Sequence, residues 1–305
     1  MRRQDGEAIP FPDYLDAKFA LDDRSLNEQV RSAMIARLRG KTRLGCLDVG
    51  SGTGAMVRRL LHLSQVPELL ITVLDSNRDI LATARRRIAG ELQQLRLAVD
   101  ENGAALRAES IGRTVVVDFV ACRVSEFSPP ALRYDLITAH AFLDLVAIDS
   151  TLASFEHWLV PGGLLYATLN YDGLTSIYPP FEDGRFESQL IAVYDASMDS
   201  RRVEGEATGG SRSGSRLITA LLERRWEVLA YGSSDWNLTP LAGHYRDRDS
   251  VCMQALLEFI RVEAERSSLD RETACRWSTE RAQQLAASRL GMIVHQVDVL
   301  AALHA

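Results

Sequence analysis

A short apolar run followed by three alternate glycines, Leu47-Asp48-Val49-Gly50-Ser51-Gly52-Thr53-Gly54-Ala55-Met56, constrains the fold more than any other stretch of the chain. Residues 44–49 read as a buried strand, and Met56, Val57, Leu60, Leu61 and Leu63 recur afterwards at helical spacing. Glycines at a strand-to-helix turn let the backbone come close to a ligand, with the helix N-terminus behind it. Two loop patterns fit. Gly50, Gly52 and Ala55 satisfy G-x-G-x-x-G/A, whereas Gly50, Gly52 and Gly54 satisfy G-x-G-x-G. The loop alone does not choose between the ligands these patterns imply.

The rest of the chain extends the rhythm. Strands are expected at 69–75, 114–120, 134–139 and 164–169, with helices at 77–98 and around 150–159 between them. Residues 100–113 read as a polar connection with an Asn-Gly turn signal. Strands alternating with helices imply a parallel sheet with right-handed crossovers, and the ligand then lies beyond the strand C-termini. Asp48–Gly54, Asp75, Cys122, His140 and Asn170 fall on that edge. After 170 the rhythm breaks into aromatic loop material, a helix at 187–198 and a Gly/Ser-rich stretch. A helix at 214–224 and a strand at 226–231 follow. Helices at 250–265 and 271–289 then precede a last strand, 292–299.

Composition narrows the function. The 305 residues are 46% apolar and 25% charged, ordinary for a globular protein. Lys and Arg number 35 against 41 Asp and Glu, a net charge of −6. That balance offers no general attraction to nucleic acid or anionic membrane. The four cysteines, Cys46, Cys122, Cys252 and Cys275, have no metal-type spacing and read as reduced thiols of a cytoplasmic protein. No metal site is expected. The N-terminus lacks an apolar signal core, and no apolar run is long enough to span a membrane.

Charge also bears on the loop. A dinucleotide pyrophosphate is disfavoured by a carboxylate two residues before Gly50, whereas a cationic ligand is favoured by it. Asp48 therefore suits S-adenosylmethionine, which carries a sulfonium and an ammonium, better than NAD. Asp75, ending the second strand, can accept ribose hydroxyls in either case.

With LDVGSGTG at 47–54, VLD at 73–75, YDLITAHAFLDLV at 134–146 and LVPGGLLYATL at 159–169, the chain resembles the class I S-adenosylmethionine-dependent methyltransferases. The resemblance covers roughly residues 40–170. It implies a Rossmann-like α/β fold with a seven-stranded mixed sheet, the last strand antiparallel, and S-adenosylmethionine as cofactor. By the same resemblance Gly50, Gly52 and Gly54 line the methionine part, Ser51 and Thr53 supply amides or hydroxyls, and Asp75 and Ser76 lie at the ribose. Cys122 and Arg123 flank adenine, where the family often has an acidic residue and this chain has none.

The expected organisation is an N-terminal helical cap segment (1–40), a cofactor-binding core (41–170), an inserted substrate cap (171–215) and the rest of the core (216–305) with a helical insertion at 232–290. Such caps fit a small-molecule substrate; nucleic acid is disfavoured, and the oligomeric state is open. His140, after the fourth strand, is the first candidate base, or else a residue of the cofactor wall with no proton role; Asp144 is in reach if the turn is helical, or else caps the next helix. Asn170, Tyr171, Tyr178, Trp236 and Tyr245 are substrate-pocket candidates, each of which can instead hold the cap in place. Arg24 is placed as a salt-bridge partner of Asp22 or Asp23, or as a contact to the cofactor carboxylate. The expected activity is methyl transfer to an O, N, C or S nucleophile of a small molecule. The alternatives are an NAD-dependent oxidoreductase and a non-catalytic protein that binds S-adenosylmethionine.

Overall fold

The computed structural model describes residues 11–64, 66–129 and 134–304. Two helices lead, α1 (Phe11–Ser25) and α2 (Glu28–Leu38), followed by β1 (Arg43–Val49), α3 (Ala55–Leu63), β2 (Glu68–Asp75) and α4 (Arg78–Gln94). Next come β3 (Ala98–Asp100), β4 (Leu106–Ser110), β5 (Arg113–Ala121), β6 (Tyr134–His140), α5 (Ile148–Trp158) and β7 (Leu159–Tyr178). The last part holds α6 (Gly184–Asp199), β8 (Arg202–Val203), β9 (Glu206–Ala207), α7 (Ser213–Leu222), β10 (Trp226–Ser233), β11 (Trp236–Leu238), α8 (Asp249–Arg266), α9 (Arg271–Ala286) and β12 (Gly291–Leu303).

Ten strands form one sheet in the order β10-β12-β7-β6-β1-β2-β5-β4-β3, with β11 paired to β12. The β1, β2, β5, β6 and β7 pairings are parallel, and β12 runs antiparallel between β7 and β10. The expected mixed sheet with a reversed last strand is present, but with more than seven strands. Residues 98–110, read from the sequence as a helix end and a polar connection, form the antiparallel strands β3 and β4, which continue the sheet beyond β5. The polar residues that hid them face outward. Only Leu106 and Ala108 are buried, on alternate positions.

Alternation in β1 sets the two faces. Leu44 and Cys46 join α2, α3 and α4 in one apolar cluster, while Leu47 and Val49 join α5 and α7 in another. A third cluster lies off the sheet faces, where α1, α6, α8 and α9 meet β11 and the ends of β7 and β12. At its centre the side chain of Arg281 has no exposure and pairs with Glu187. The same carboxylate accepts from Trp277 Nε1 at 2.7 Å. Breaking a buried pair from one side leaves an uncompensated charge. Glu187→Ala is therefore expected to lower stability by roughly 3–5 kcal/mol, read as a lower urea midpoint.

Candidate active site

The glycine loop is built by backbone geometry that only glycine takes without strain. Gly50, Gly52 and Gly54 have φ of 59°, 52° and 79°. A Cβ on Gly50 would come within 2.1 Å of the Phe142 ring, and one on Gly54 within 2.8 Å of Ile88 on α4. The first glycine lets the 141–145 segment close on the loop, and the third lets α3 pack on α4. Asp75 fixes the middle of the loop. Its carboxylate accepts from the amide of Gly52 at 2.9 Å and from that of Asn77 at 2.9 Å. Ser51 donates its amide to Leu74 O at 3.1 Å. Ser51 and Thr53 are buried, and Ser76 is exposed beside Asp75.

Asp48 is fully buried at the end of β1. Thr138 donates to one carboxylate oxygen at 2.6 Å, while the other, Oδ2, has no partner among the described residues. Burial pushes this carboxyl up to about 7, with the nearby Asp75 adding to the effect and Thr138 opposing it. A buried oxygen without a donor carries a desolvation cost until a ligand supplies one. Beyond β5, Cys122 is half-buried and the Arg123 guanidinium is largely exposed, 4.0 Å from Glu204.

His140 ends β6 and is 9% exposed, but its partner is not Asp144. Its Nδ1 lies 2.7 Å from Thr168 Oγ1, and its Nε2 is 3.1 Å from Asp22 Oδ2 and 3.3 Å from Arg59 Nη1. Arg59 can only donate and Asp22 only accept. A neutral ring therefore serves one of them at Nε2 and Thr168 at Nδ1, which leaves no nitrogen spare. Burial holds the imidazole down to about 4, with Arg59 and Lys18 reinforcing this and Asp22 opposing it. Asp22 also accepts from Lys18 Nζ at 2.6 Å and Trp236 Nε1 at 3.0 Å. Lys18, His140 and Arg59 outweigh its burial and hold its carboxyl down at about 2.

Asp144 sits in a short 3₁₀ turn, 143–145, that packs on Gly209 and Gly210. Its side chain accepts from its own backbone amide, and it does not cap α5, whose N-cap is Ala147. Burial pushes the Asp144 carboxyl up to about 6 despite the attraction of Arg201.

The substrate candidates divide. Trp236 joins His140 through Asp22, and Asn170 lies buried at the sheet edge with Nδ2 on Val297 O at 2.9 Å and Oδ1 unpartnered. Tyr171 donates to Asp195 at 2.9 Å. Tyr178 bonds Thr239 and stacks over Gly291, and Tyr245 donates to Leu290 O at 2.8 Å. These last two hold the cap together. Arg24 pairs with Asp249 and, at 3.3 Å, with Asp247 on the α8 side, so the expected bridge to Asp22 or Asp23 is not formed.

Sequence reasoning missed the group that joins these parts: Lys18, Asp22, Arg59, Thr168 and Asp298. Asp298 accepts from the amides of Leu169 at 2.7 Å and Asn27 at 2.8 Å. Leu169 and Ala141, either side of the His140–Thr168 contact, both have positive φ, 54° and 49°. Lys18 and Asp22 were visible as an i,i+4 helical pair, but nothing local marked it as buried. Among the described residues no cluster of three or more His, Cys, Asp or Glu could hold a metal, and no helix is long and apolar enough to cross a membrane.

Residues 47–165 match the family model described as a methyltransferase domain. No curated protein matches the chain. Among solved structures, a methyltransferase of Bacillus halodurans described as putative is similar at 14% identity and a TM-score of 0.52, covering 92% of this chain and all of that one. The YcgJ protein of Bacillus subtilis is similar at 12% identity and a TM-score of 0.50, covering 91% of this chain and 99% of that one. A methyltransferase from Thiobacillus denitrificans, solved with S-adenosylhomocysteine, shares 14% identity at a TM-score of 0.46, over 97% and 99% of the two chains. Residues 47–165 thus form a methyltransferase domain, the kind of enzyme that takes S-adenosylmethionine as cofactor, and the two Bacillus structures share the fold.

The state of His140 has a thermodynamic consequence. Its folded-state value lies below the unfolded one, so between about pH 6.5 and 4 the unfolded chain binds a proton that the folded chain does not. Stability contributed by the neutral ring is expected to fall by roughly 1–3 kcal/mol as pH drops through that window. His140→Asn removes this component. Urea midpoints of both proteins from pH 7 to pH 4 check it.

Proposed function

We propose that the protein transfers the methyl group of S-adenosylmethionine to an O, N, C or S nucleophile of a small molecule. The observation that carries the reading is the buried, unpartnered Oδ2 of Asp48 at the start of the glycine loop. That oxygen suits a cationic ligand and disfavours the pyrophosphate of NAD. The loop fits the cofactor in other respects: it presents positive-φ backbone, and Asp75 keeps lone pairs beyond its two amide bonds for ribose hydroxyls. When bound, the cofactor supplies the electrophilic methyl. Gly50, Gly52, Gly54, Ser51 and Thr53 hold its methionine part, Asp48 its positive charge, Asp75 and Ser76 its ribose, and the backbone of Cys122 and Arg123 its adenine. Of the expected 1–40 cap, residues 1–10 lie outside the described residues and α2 packs on a sheet face; α1, with 171–215 and 232–290, caps the 41–170 core and the rest of the core in 216–305. The shared apolar cluster of α1, α6, α8 and α9 supports that division.

For the protonated acceptor we assign the base to Asp144 and a positioning role to His140. Asp144 has an elevated carboxyl bonded to its own backbone amide, whereas both nitrogens of His140 are engaged by other residues. Asn170, Tyr171 and Trp236 lie where an acceptor meets the cap. Alignment and exclusion of water supply most of the rate.

Calorimetry with S-adenosylmethionine tests the cofactor assignment, with NAD as the competing ligand. A cation beside Asp48 stabilises its ionised form, so binding at pH 7 is expected to release up to about half a proton, seen as a dependence of the heat on buffer ionisation. Asp48→Asn should abolish the release and weaken binding about tenfold or more. Tighter binding of NAD would overturn the reading.

Once an acceptor is in hand whose own titration lies outside pH 5–7, kcat is expected to rise with pH to a plateau above about 6. Asp144→Asn should lose that rise along with about 10²–10⁴-fold in kcat. A wild-type profile in the variant would remove Asp144 from the chemistry.

A further inference from the structure

A cavity of about 280 Å³ lies away from the strand edge, lined by residues of α1, α2, α3 and α4. Its charged lining consists of Arg31, Arg58, Arg59 and His62 with the carboxylates Asp23 and Glu91. Arg59 is buried and committed: Nε to Asp23 at 3.2 Å, one terminal nitrogen to Phe19 O at 3.0 Å and the other to His140. Glu91 is likewise committed, to Arg58 Nε and His62 Nε2, both at 2.7 Å.

The pairing leaves donors over. The two terminal nitrogens of Arg58 have no hydrogen-bond partner among the described residues, and neither does His62 Nδ1. Arg31 enters from α2, and its ion-pair partner is Glu28 on the same helix, whose side chain is 70% exposed. Such an i,i+3 surface pair holds a guanidinium weakly. The Phe19 ring, 4.3 Å from the Arg58 guanidinium and 4.6 Å from that of Arg59, fixes both groups. Arg58 and Arg59 answer Glu91 and Asp23, and Arg31 adds a third guanidinium to the lining whose partner Glu28 faces solvent.

We propose that this cavity binds a phosphoryl group, carried by inorganic phosphate or by a small phosphomonoester. Guanidinium forks match phosphate oxygens in bidentate fashion. Three oxygens suit donors arriving from Arg31, Arg58 and His62, where a carboxylate offers only two. The volume is at the small end for ligand sites, which favours a compact anion over a nucleotide. The donors come from α2 and α3, while Phe19 and Asp23 come from α1. An anion held here fastens α1 to the helix that follows the glycine loop, and Arg59 carries the contact on to His140.

The test is calorimetric titration of the full chain with inorganic phosphate and, separately, with glycerol 3-phosphate, at constant ionic strength against a chloride control. Saturable one-to-one binding is expected for at least one of the two, and the tighter one identifies the source of the phosphoryl group. Arg31→Gln, which removes only an exposed pair, should weaken binding at least tenfold with an unchanged Tm in the absence of ligand; Arg58→Gln should do the same by titration. Arg271→Gln, at a distant surface, should bind as the wild type does. Heats equal to the chloride control for both ligands, an unaltered affinity in Arg31→Gln, or an equal loss in Arg271→Gln would overturn the proposal.

Discussion

The carboxylate of Asp22 is the point on which α1, the sheet edge and the cap depend together. It is 1% exposed, a position that is costly for a charge unless partners replace water. Those partners come from three places: Lys18 one turn back on α1, His140 at the end of β6, and Trp236 on β11. Because each is needed to offset the burial of one charge, none of the elements can move alone without exposing or orphaning the others. Arg59 extends the group to α3. Asp298 does the same on the far side, binding the amide of Asn27, which caps α2, to that of Leu169 at the sheet edge.

Three aspartates, two of them buried and Asp144 half-buried, show how surroundings rather than residue type set the chemistry. Asp22, ringed by donors, stays ionised to about pH 2. Asp48, with one hydroxyl donor and a second carboxylate nearby, is poised near 7. Asp144, near Arg201 and bonded to its own backbone amide, lies between them at about 6. The first is therefore a fixed structural charge, while the other two respond to what binds beside them. A histidine was the natural candidate for proton transfer from its place after β6. Its neighbours engage both ring nitrogens, which is why the proposed base is the carboxylate four residues on.

What was legible in the sequence follows the range of the interactions involved. The glycine loop, Asp48, Asp75 and the parallel strands are written in patterns of a few residues, and the structure has them where those patterns fall. The β3 and β4 strands were not legible because Ala98–Asp100 and Leu106–Ser110 bury little and read as polar connection. The Asp22 group was not legible because its members lie up to 214 residues apart. Lys18 and Asp22 look like any exposed helical pair until β11 covers them. Arg24 illustrates the same limit from the other side: two acids beside it in sequence were the obvious partners, and the actual ones lie on the α8 side.

The cover over the loop differs in kind from the fastening around it. Leu15 of α1 stands where a Cβ on Gly52 would be 3.3 Å away, and Phe142 stands against Gly50. Both are apolar, and a ligand that displaces them exchanges one apolar contact for another at little cost. The charged groups that anchor α1, by contrast, cannot be displaced without leaving a buried carboxylate unpaired. Adjustment to a ligand is thus concentrated in side chains that touch the glycines, and the buried charges keep the frame that places Asp48 and Asp144.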